Sequence, residues 1–166
     1  MVGMSIDPMW PAASGGLVVR AAAEADLGRI VELLQLGSVP GGPPSSEDPD
    51  DLGPYRAALH EITQGNGAVL VAELDGVVVG VCQLIVFRHL QARGGLCGEI
   101  ESVHVHPHHR RAGIGAVLLS RAIAKARDQG CYRVQLTSNA GRPDAHRFYE
   151  GLGMVPSHVG FKLALD

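Results

Sequence analysis

Several large functional classes leave marks that this chain of 166 residues does not carry. Positive charge is not in excess. The 14 Lys and Arg are outnumbered by 17 Asp and Glu, for a formal net charge of -3, which speaks against a protein that grips nucleic acid through a strongly basic surface. No apolar run reaches the roughly 18 residues of a membrane-crossing helix. Residues 1–16 lack a basic stretch followed by a long apolar core, so neither a membrane partner nor a secretory signal is expected. The three cysteines, Cys82, Cys97 and Cys131, are odd in number and far apart, and no two form a C-x-x-C pair. That usage favours buried free thiols in a reducing, cytoplasmic setting over disulfides or a metal site. There is no G-x-x-x-x-G-K-[ST] loop, as a nucleotide hydrolase of that type would need. No G-x-G-x-x-G turn and no Ser-His-Asp order stands out either.

What is present is an alternation of strand and helix signals. Residues 1–16 are rich in Gly, Pro and Ala and read as a flexible tail. Val18–Arg20 reads as a short strand. Asp26–Leu36 carries Leu27, Ile30, Val31, Leu33 and Leu34 at helical spacing. Residues 37–54 hold five prolines and Asp48, Asp50 and Asp51, a loop too polar for a core. A helix over Tyr55–Gln64 follows. The β-rich runs Ala68–Leu74 and Val77–Phe87 are joined by Asp75-Gly76, a strong hairpin signal. Gly94 and Gly95 mark the next turn, and Gly98–Val105 is another strand. A long helix from Ile114 to about Gln129, a strand over Arg133–Thr137, a helix from Pro143 to about Glu150 and a last strand over Phe161–Leu165 complete the series. Length and the lack of a linker give one domain over 17–166. The strands ending at Val105 and starting at Arg133 are joined through a helix, so they run parallel in an otherwise antiparallel α/β sheet with helices on both faces. If that pair splays, a cleft opens where a ligand arm can bond to a free strand edge.

The cleft would lie beside the most informative stretch of the chain, Arg110-Arg111-Ala112-Gly113-Ile114-Gly115. A strand, a glycine turn and a helix start without a capping side chain leave several backbone N–H groups with no partner at the positive end of a helix dipole, a natural cradle for a diphosphate. Two arginines add charge-assisted donors.

Val103-His104-Val105 followed by Arg110-x-x-Gly113-x-Gly115 resembles the acetyl-CoA-binding motif of the Gcn5-related N-acetyltransferases. Ala145-His146-Arg147-Phe148-Tyr149-Glu150-Gly151-Leu152-Gly153-Met154 resembles that family's second motif, in the expected order. The C-terminal half, through Leu136–Asn139, Arg142, Asp144–Tyr149 and Ser157-His158, is most similar to aminoalkylphosphonate N-acetyltransferase-type members. The resemblance implies a mixed, mostly antiparallel sheet with one splayed parallel pair, and a single N-acetyltransferase domain. It also implies acetyl-CoA or coenzyme A as co-substrate without a metal, a small-molecule primary amine as acceptor, and direct attack in a ternary complex. Homodimers are common in this fold. A protein or peptide acceptor, and a non-catalytic coenzyme-A-binding regulatory module, are the competing readings.

Acetyl transfer to an amine requires a held donor, a deprotonated amine, a stabilised oxyanion and a proton for the thiolate. Holding falls to Arg110, Arg111, Ala112, Gly113, Ile114 and Gly115. By resemblance the backbones of Val103, His104 and Val105 line the pantetheine arm, and the Val105 N–H serves the oxyanion. A lysine-like amine has a pKa of about 10.4, so its neutral form costs roughly 4.6 kcal/mol at pH 7, and a carboxylate that takes the proton offsets this. Glu99 and Glu101 stand two apart on one strand, so alternation puts them on the face of Val103 and Val105. Glu99 is the first candidate base and Glu101 the second. By resemblance Tyr149 is the general acid toward the sulfur and touches the coenzyme. Many members carry an asparagine seven residues before that tyrosine, where this chain has Arg142. Asn139, ten residues before it, is the candidate pantetheine contact.

His104, His106, His108 and His109 are conspicuous, but no acidic or cysteine ligand stands at a diagnostic spacing, and solvated or phosphate-adjacent imidazoles are expected. The acidic loop carrying Glu47, Asp48, Asp50 and Asp51 would attract a cationic amine. Phe87, Arg88 and His89 end a strand expected near the cleft, and Arg88 would pair with an acidic group of a zwitterionic acceptor.

Overall fold

The computed structural model describes residues 16–37 and 45–165. Apart from Gly16, whose carbonyl accepts from the Asp75 N–H, the expected tail lies outside the described residues, as do residues 38–44 of the expected loop. The sheet is built from β1 (Leu17–Ala21), β2 (Ala68–Leu74), β3 (Val77–Arg88), β4 (Leu96–Val105) and β5 (Cys131–Leu136), in that spatial order. The first three pairings are antiparallel and β4–β5 is parallel. The helices are α1 (Leu27–Leu36), α2 (Gly53–Gln64), α3 (Gln91–Gly94), α4 (Ile114–Asp128) and α5 (Pro143–Gly151). Of these, α3 is a single turn with Ala92 and Arg93 at φ 50° and 59°.

Local chemistry explains the elements. Asp75 and Gly76 take φ of 50° and 82°, the left-handed pair of a type I′ turn whose twist matches a hairpin. On α4, Ile114, Leu118, Ala122 and Ala126 recur every fourth residue and are buried together with Leu119. This stripe lies on Leu84, Cys82 and Ile100 of the sheet. Leu118 and Leu119 are fully enclosed, and burial of such a side chain stabilises the fold by roughly 1.5–3 kcal/mol. Lys125 and Arg127 in the last turn complement the helix dipole. On the opposite face α1 packs Ile30 and Leu33 over Val71, Val78 and Val81. Asp26, at the start of α1, accepts from Arg20 of β1 at 2.7 and 2.9 Å and from the Ala23 N–H. The Arg20 guanidinium holds that carboxyl below its ordinary value. By contrast α2 buries none of its residues. A cleft lined by Ala58, Glu61, Ile62, Gln83 and Ile85 runs between it and β3.

Residues 161–165 form no strand. Phe161, Leu163 and Leu165 alternate as a strand's apolar face should, but alternation supplies no pairing partner, and a strand needs an edge to bond to. The last backbone bond recorded along this segment joins Ser157 to Val155.

Candidate active site

The site is made by a change of state halfway along β4. Leu96–Ile100 pairs with β3 on one side and with Cys131–Leu136 of β5 on the other. Beyond Ile100 the parallel ladder stops, while pairing with β3 continues to Val105. Among the described residues the β5-facing edge of Glu101–Val105 is therefore left without a strand, and the parallel pair is splayed there.

At the same point β4 bulges. Glu101 pairs with Gln83 and His104 with Val81, so the single residue Cys82 stands opposite both Ser102 and Val103. Ser102 takes φ 52°, a conformation rare outside glycine and a mark of constrained backbone. The extra residue reverses the alternation. Glu99, Glu101 and His104 come to share the α1–α2 face with Gln83 and Val81, whereas Val103 and Val105 join the core on the α4 face. This corrects the expectation that the two glutamates share a face with Val103 and Val105. Strict period-two counting fails across one inserted residue.

The cradle follows directly. His106 accepts from the His108 N–H at 3.4 Å and opens a single turn over Pro107–His109. Arg110 folds back so that its Nε donates to the Val105 carbonyl at 3.1 Å. Arg111 (φ 65°) and Gly113 (φ 79°) are both left-handed, and Gly113 is the residue that adopts this at no steric cost. Gly113 begins α4 with no side chain capping it. Its carbonyl accepts from the Ala116 and Val117 N–H groups, but the N–H groups of Ala112, Gly113, Ile114 and Gly115 find no backbone acceptor among the described residues. They lie at the N-terminus of a 15-residue helix, an arrangement whose geometry and dipole suit an anion.

Helix α5 supplies the third part. Pro143 sits at its first position and Asp144 in its first turn. Gly153 (φ 83°) closes it, with the Met154 N–H bonded to the Tyr149 carbonyl. This fixes Phe148 against Gly115, where a Cβ would meet the ring at 3.3 Å, and sets the Phe148 and Tyr149 rings 5.3 Å apart. Burial raises the Tyr149 phenol above its ordinary value, against the Arg142 charge, and Glu101 is near enough to add to the rise. The phenol is thus a protonated donor at neutral pH. Asn139 is exposed, and its side-chain oxygen is held by the Gly141 N–H at 2.8 Å, which leaves its amide to reach outward.

His104 lies on the other side of the bulge, against the end of α1. A Cβ on Gly37 would stand 1.8 Å from its Nδ1. Burial first, then Arg142 and Arg110, lowers its pKa to about 4, so the ring is neutral at pH 7. Arg142 enters none of the ion pairs among the described residues. Near the same place the loop segment ahead of α2 is anchored by Glu47, which accepts from the Tyr55 hydroxyl at 2.7 Å while its carbonyl accepts from Gln35. Glu99 accepts from Gln135 of β5 at 3.2 Å.

Arg88 does not belong to this group. It pairs with Leu96, about 30 Å along the strand from Val105 at roughly 3.3 Å per residue, and donates to the Gly94 carbonyl. His89 there bonds Tyr132 at 2.8 Å. The turn at Gly94 and Gly95 brings these residues to the closed end of the parallel pair, which corrects their expected position near the cleft. Arg142 is the arginine beside the opening. The sequence held one sign of it, a basic residue directly before the Pro143 that starts a helix. Nothing in the sequence marked the Ser102 bulge. Among the described residues no group of three His, Cys, Asp or Glu is placed to hold a metal. Cys82 lies fully inside the core, where burial pushes its thiol up to about 12.

Comparison with known proteins bears on the family and the fold. An aminoalkylphosphonate N-acetyltransferase of Salmonella typhimurium is 40% identical over 91 residues, 55% of this chain and 58% of that protein. The chain therefore spans little more than half the length of that relative. A glucosamine 6-phosphate N-acetyltransferase of Trypanosoma brucei brucei is 31% identical over 138 residues, 82% of this chain and 88% of that protein. The crystal structure of a transcriptional regulator from Bacillus halodurans C-125 superposes with a TM-score of 0.82 at 35% identity, covering 90% of this chain and 99% of that one. Residues 29–154 match the acetyltransferase (GNAT) family, and the chain belongs to that family.

Proposed function

We propose that the protein is an acetyl-CoA-dependent N-acetyltransferase acting on a small primary amine that carries an anionic group, by direct attack in a ternary complex. The observation that carries this reading is the convergence, within one splayed opening, of the uncapped N–H groups of Ala112–Gly115, the unpaired edge of Glu101–Val105 and the half-buried phenol of Tyr149. Acetyl-CoA would supply an activated thioester carbonyl and a thiolate leaving group.

The remaining chemistry is the chain's own. The Ala112–Gly115 amides, with Arg110 and Arg111, hold the diphosphate. The free edge of Val103–Val105 aligns the pantetheine amides as an added strand would, with the Asn139 amide closing the other wall. The Val105 N–H faces the developing oxyanion. Tyr149 gives its proton to the sulfur. Glu101 takes the amine proton: it stands at the bulge, within electrostatic reach of Tyr149. Glu99, tied to Gln135, is the second candidate. Arg142 pairs with the acceptor's anion, which fits the phosphonate- and phosphate-bearing amines named for the two relatives. The cluster around Glu47 draws in the ammonium group.

The test is thioester cleavage followed with a thiol reagent across aminoalkylphosphonates, phosphorylated amino sugars, amino acids, polyamines and peptides. Turnover with anionic small amines, a fall of about 10- to 100-fold in Tyr149→Phe, and a KM rise confined to anionic acceptors in Arg142→Gln support the reading. Preferred turnover of peptides assigns the protein acceptor instead. The likeness to a transcriptional regulator favours one further reading, a coenzyme-A-responsive module. Coenzyme A binding without turnover on any amine would establish that reading and remove the enzymatic one.

A further inference from the structure

We infer that His146 is the positioning residue that fixes Arg142, and Asn139 with it, relative to Tyr149, by latching the turn that carries them to helix α5. The inference rests on the roles proposed above for those three residues and adds the group that holds them in register.

The turn shapes itself but does not place itself. The Arg142 N–H donates to the Asn139 carbonyl at 3.0 Å, and the Gly141 N–H donates to the Asn139 side-chain oxygen at 2.8 Å. Both bonds are internal to residues 139–142. Asn139, Ala140 and Gly141 are exposed, so no buried side chain of theirs anchors the turn, and segments of that kind open at little cost. Helix α5 is fixed by contrast, because Phe148, Tyr149 and Leu152 pack against the core.

His146 joins the two. Its N–H donates to the Arg142 carbonyl at 3.1 Å, the bond that any helix makes in its first turn. Its ring Nε2 lies 2.9 Å from the Asn139 carbonyl oxygen. Among the described residues this is the one side-chain bond between α5 and the turn. A carbonyl oxygen only accepts, so Nε2 carries the hydrogen. Together with the Arg142 N–H it fills both lone pairs of that oxygen. His146 also stands three residues before Tyr149 on α5, which puts the two side chains on neighbouring positions of one helix face. The phenol, the Asn139 amide and the Arg142 guanidinium are thereby held on one rigid piece.

The test compares His146→Leu with His146→Gln, whose amide nitrogen reaches the place of Nε2 and still donates. Without the latch the turn takes several arrangements, and apparent affinity falls with the fraction that stays competent. In His146→Leu the KM for an aminoalkylphosphonate is expected to rise about 3- to 10-fold, the worth of one hydrogen bond, with kcat little changed. The KM for an amine without an anionic group is expected to stay the same, and His146→Gln is expected to restore the wild-type value. Adding His146→Leu to Arg142→Gln is expected to raise the phosphonate KM no further, because His146 acts through Arg142. A rise shared by both amines, an effect that adds to that of Arg142→Gln, or a glutamine variant as impaired as the leucine one overturns the inference. Hydrogen exchange at the Gly141 and Arg142 amides reads the latch without any turnover. It is expected to be faster in His146→Leu and to return to the wild-type rate in His146→Gln, and an unchanged rate in His146→Leu overturns the inference. Should the wild type acetylate no amine, the proposed function falls, and this exchange still decides the latch. Should the leucine variant not fold, His146→Asn takes its place, since its amide ends at the position of Nδ1 and does not reach the carbonyl.

Discussion

The two halves of β4 have the same length and opposite tasks. Leu96–Ile100 is bonded on both sides, Cys97 and Ile100 are inside the core, and its role is to hold the sheet together. Glu101–Val105 is bonded on one side, contains a left-handed serine, and is only half-buried throughout. The inner half earns stability by burial. The outer half leaves backbone groups and a carboxylate uncommitted, which is what a ligand-binding edge requires. The lesson is that a site can be made by ending one ladder a few residues before its neighbour, with no loop insertion at all.

That contrast predicts that substitutions on either side of Ile100 separate stability from activity. The largest effect is expected for Glu101→Gln. Its kcat should fall about 10²- to 10³-fold with KM for acetyl-CoA and the melting temperature little changed, whereas Glu99→Gln should lose less than about tenfold. Equal losses would assign the proton transfer to neither residue alone. Ile100→Ala, one position inward, should show the inverse. It should cost about 2–5 kcal/mol in urea unfolding for the cavity it leaves, with near-normal turnover by the molecules that remain folded. A smaller effect is expected for Gly113→Ala. Its φ of 79° makes a Cβ cost about 1 kcal/mol, and coenzyme A titration should show roughly tenfold weaker binding as the cradle shifts.

The least disruptive probe is pH. The His104 pKa is lowered to about 4 in the folded chain against about 6.5 in the unfolded chain. Between those values the unfolded state binds a proton that the folded state does not, so stability is fully present above pH 6.5 and is lost as pH falls toward 4. The loss is at most about 3 kcal/mol. Denaturation midpoints measured from pH 7 to 4 should fall in the wild type and flatten in His104→Gln. An equal slope in the variant would place the titration elsewhere.

Much of the fold was legible because it rests on local rules. Asp75-Gly76 specified its hairpin, the fourfold spacing on Ile114–Asp128 specified its helix, and Pro143 and Gly153 bounded α5. The unpaired amides at Ala112–Gly115 were legible too, since a glycine turn after a strand and before a helix leaves them without partners. Three things were not. The faces of Glu99 and Glu101 depended on Ser102, a residue with no bulge signature. The position of Arg88 depended on which end of the parallel pair opens. The segment Phe161–Leu165 had the pattern of a strand, but pattern does not provide a partner.

The sequence by itself determined most of the element types, the parallel connection and the glycine turn with its unpaired amides, because each follows from side-chain periodicity, glycine conformation and helix-end chemistry within a few residues. Only the tertiary structure decided which carboxylates face His104, that Arg142 rather than Arg88 stands at the opening, and that among the described residues no strand pairs with the outer side of β5. Each of those depends on register between segments far apart in the chain, and a single inserted residue in a ladder inverts every side chain beyond it.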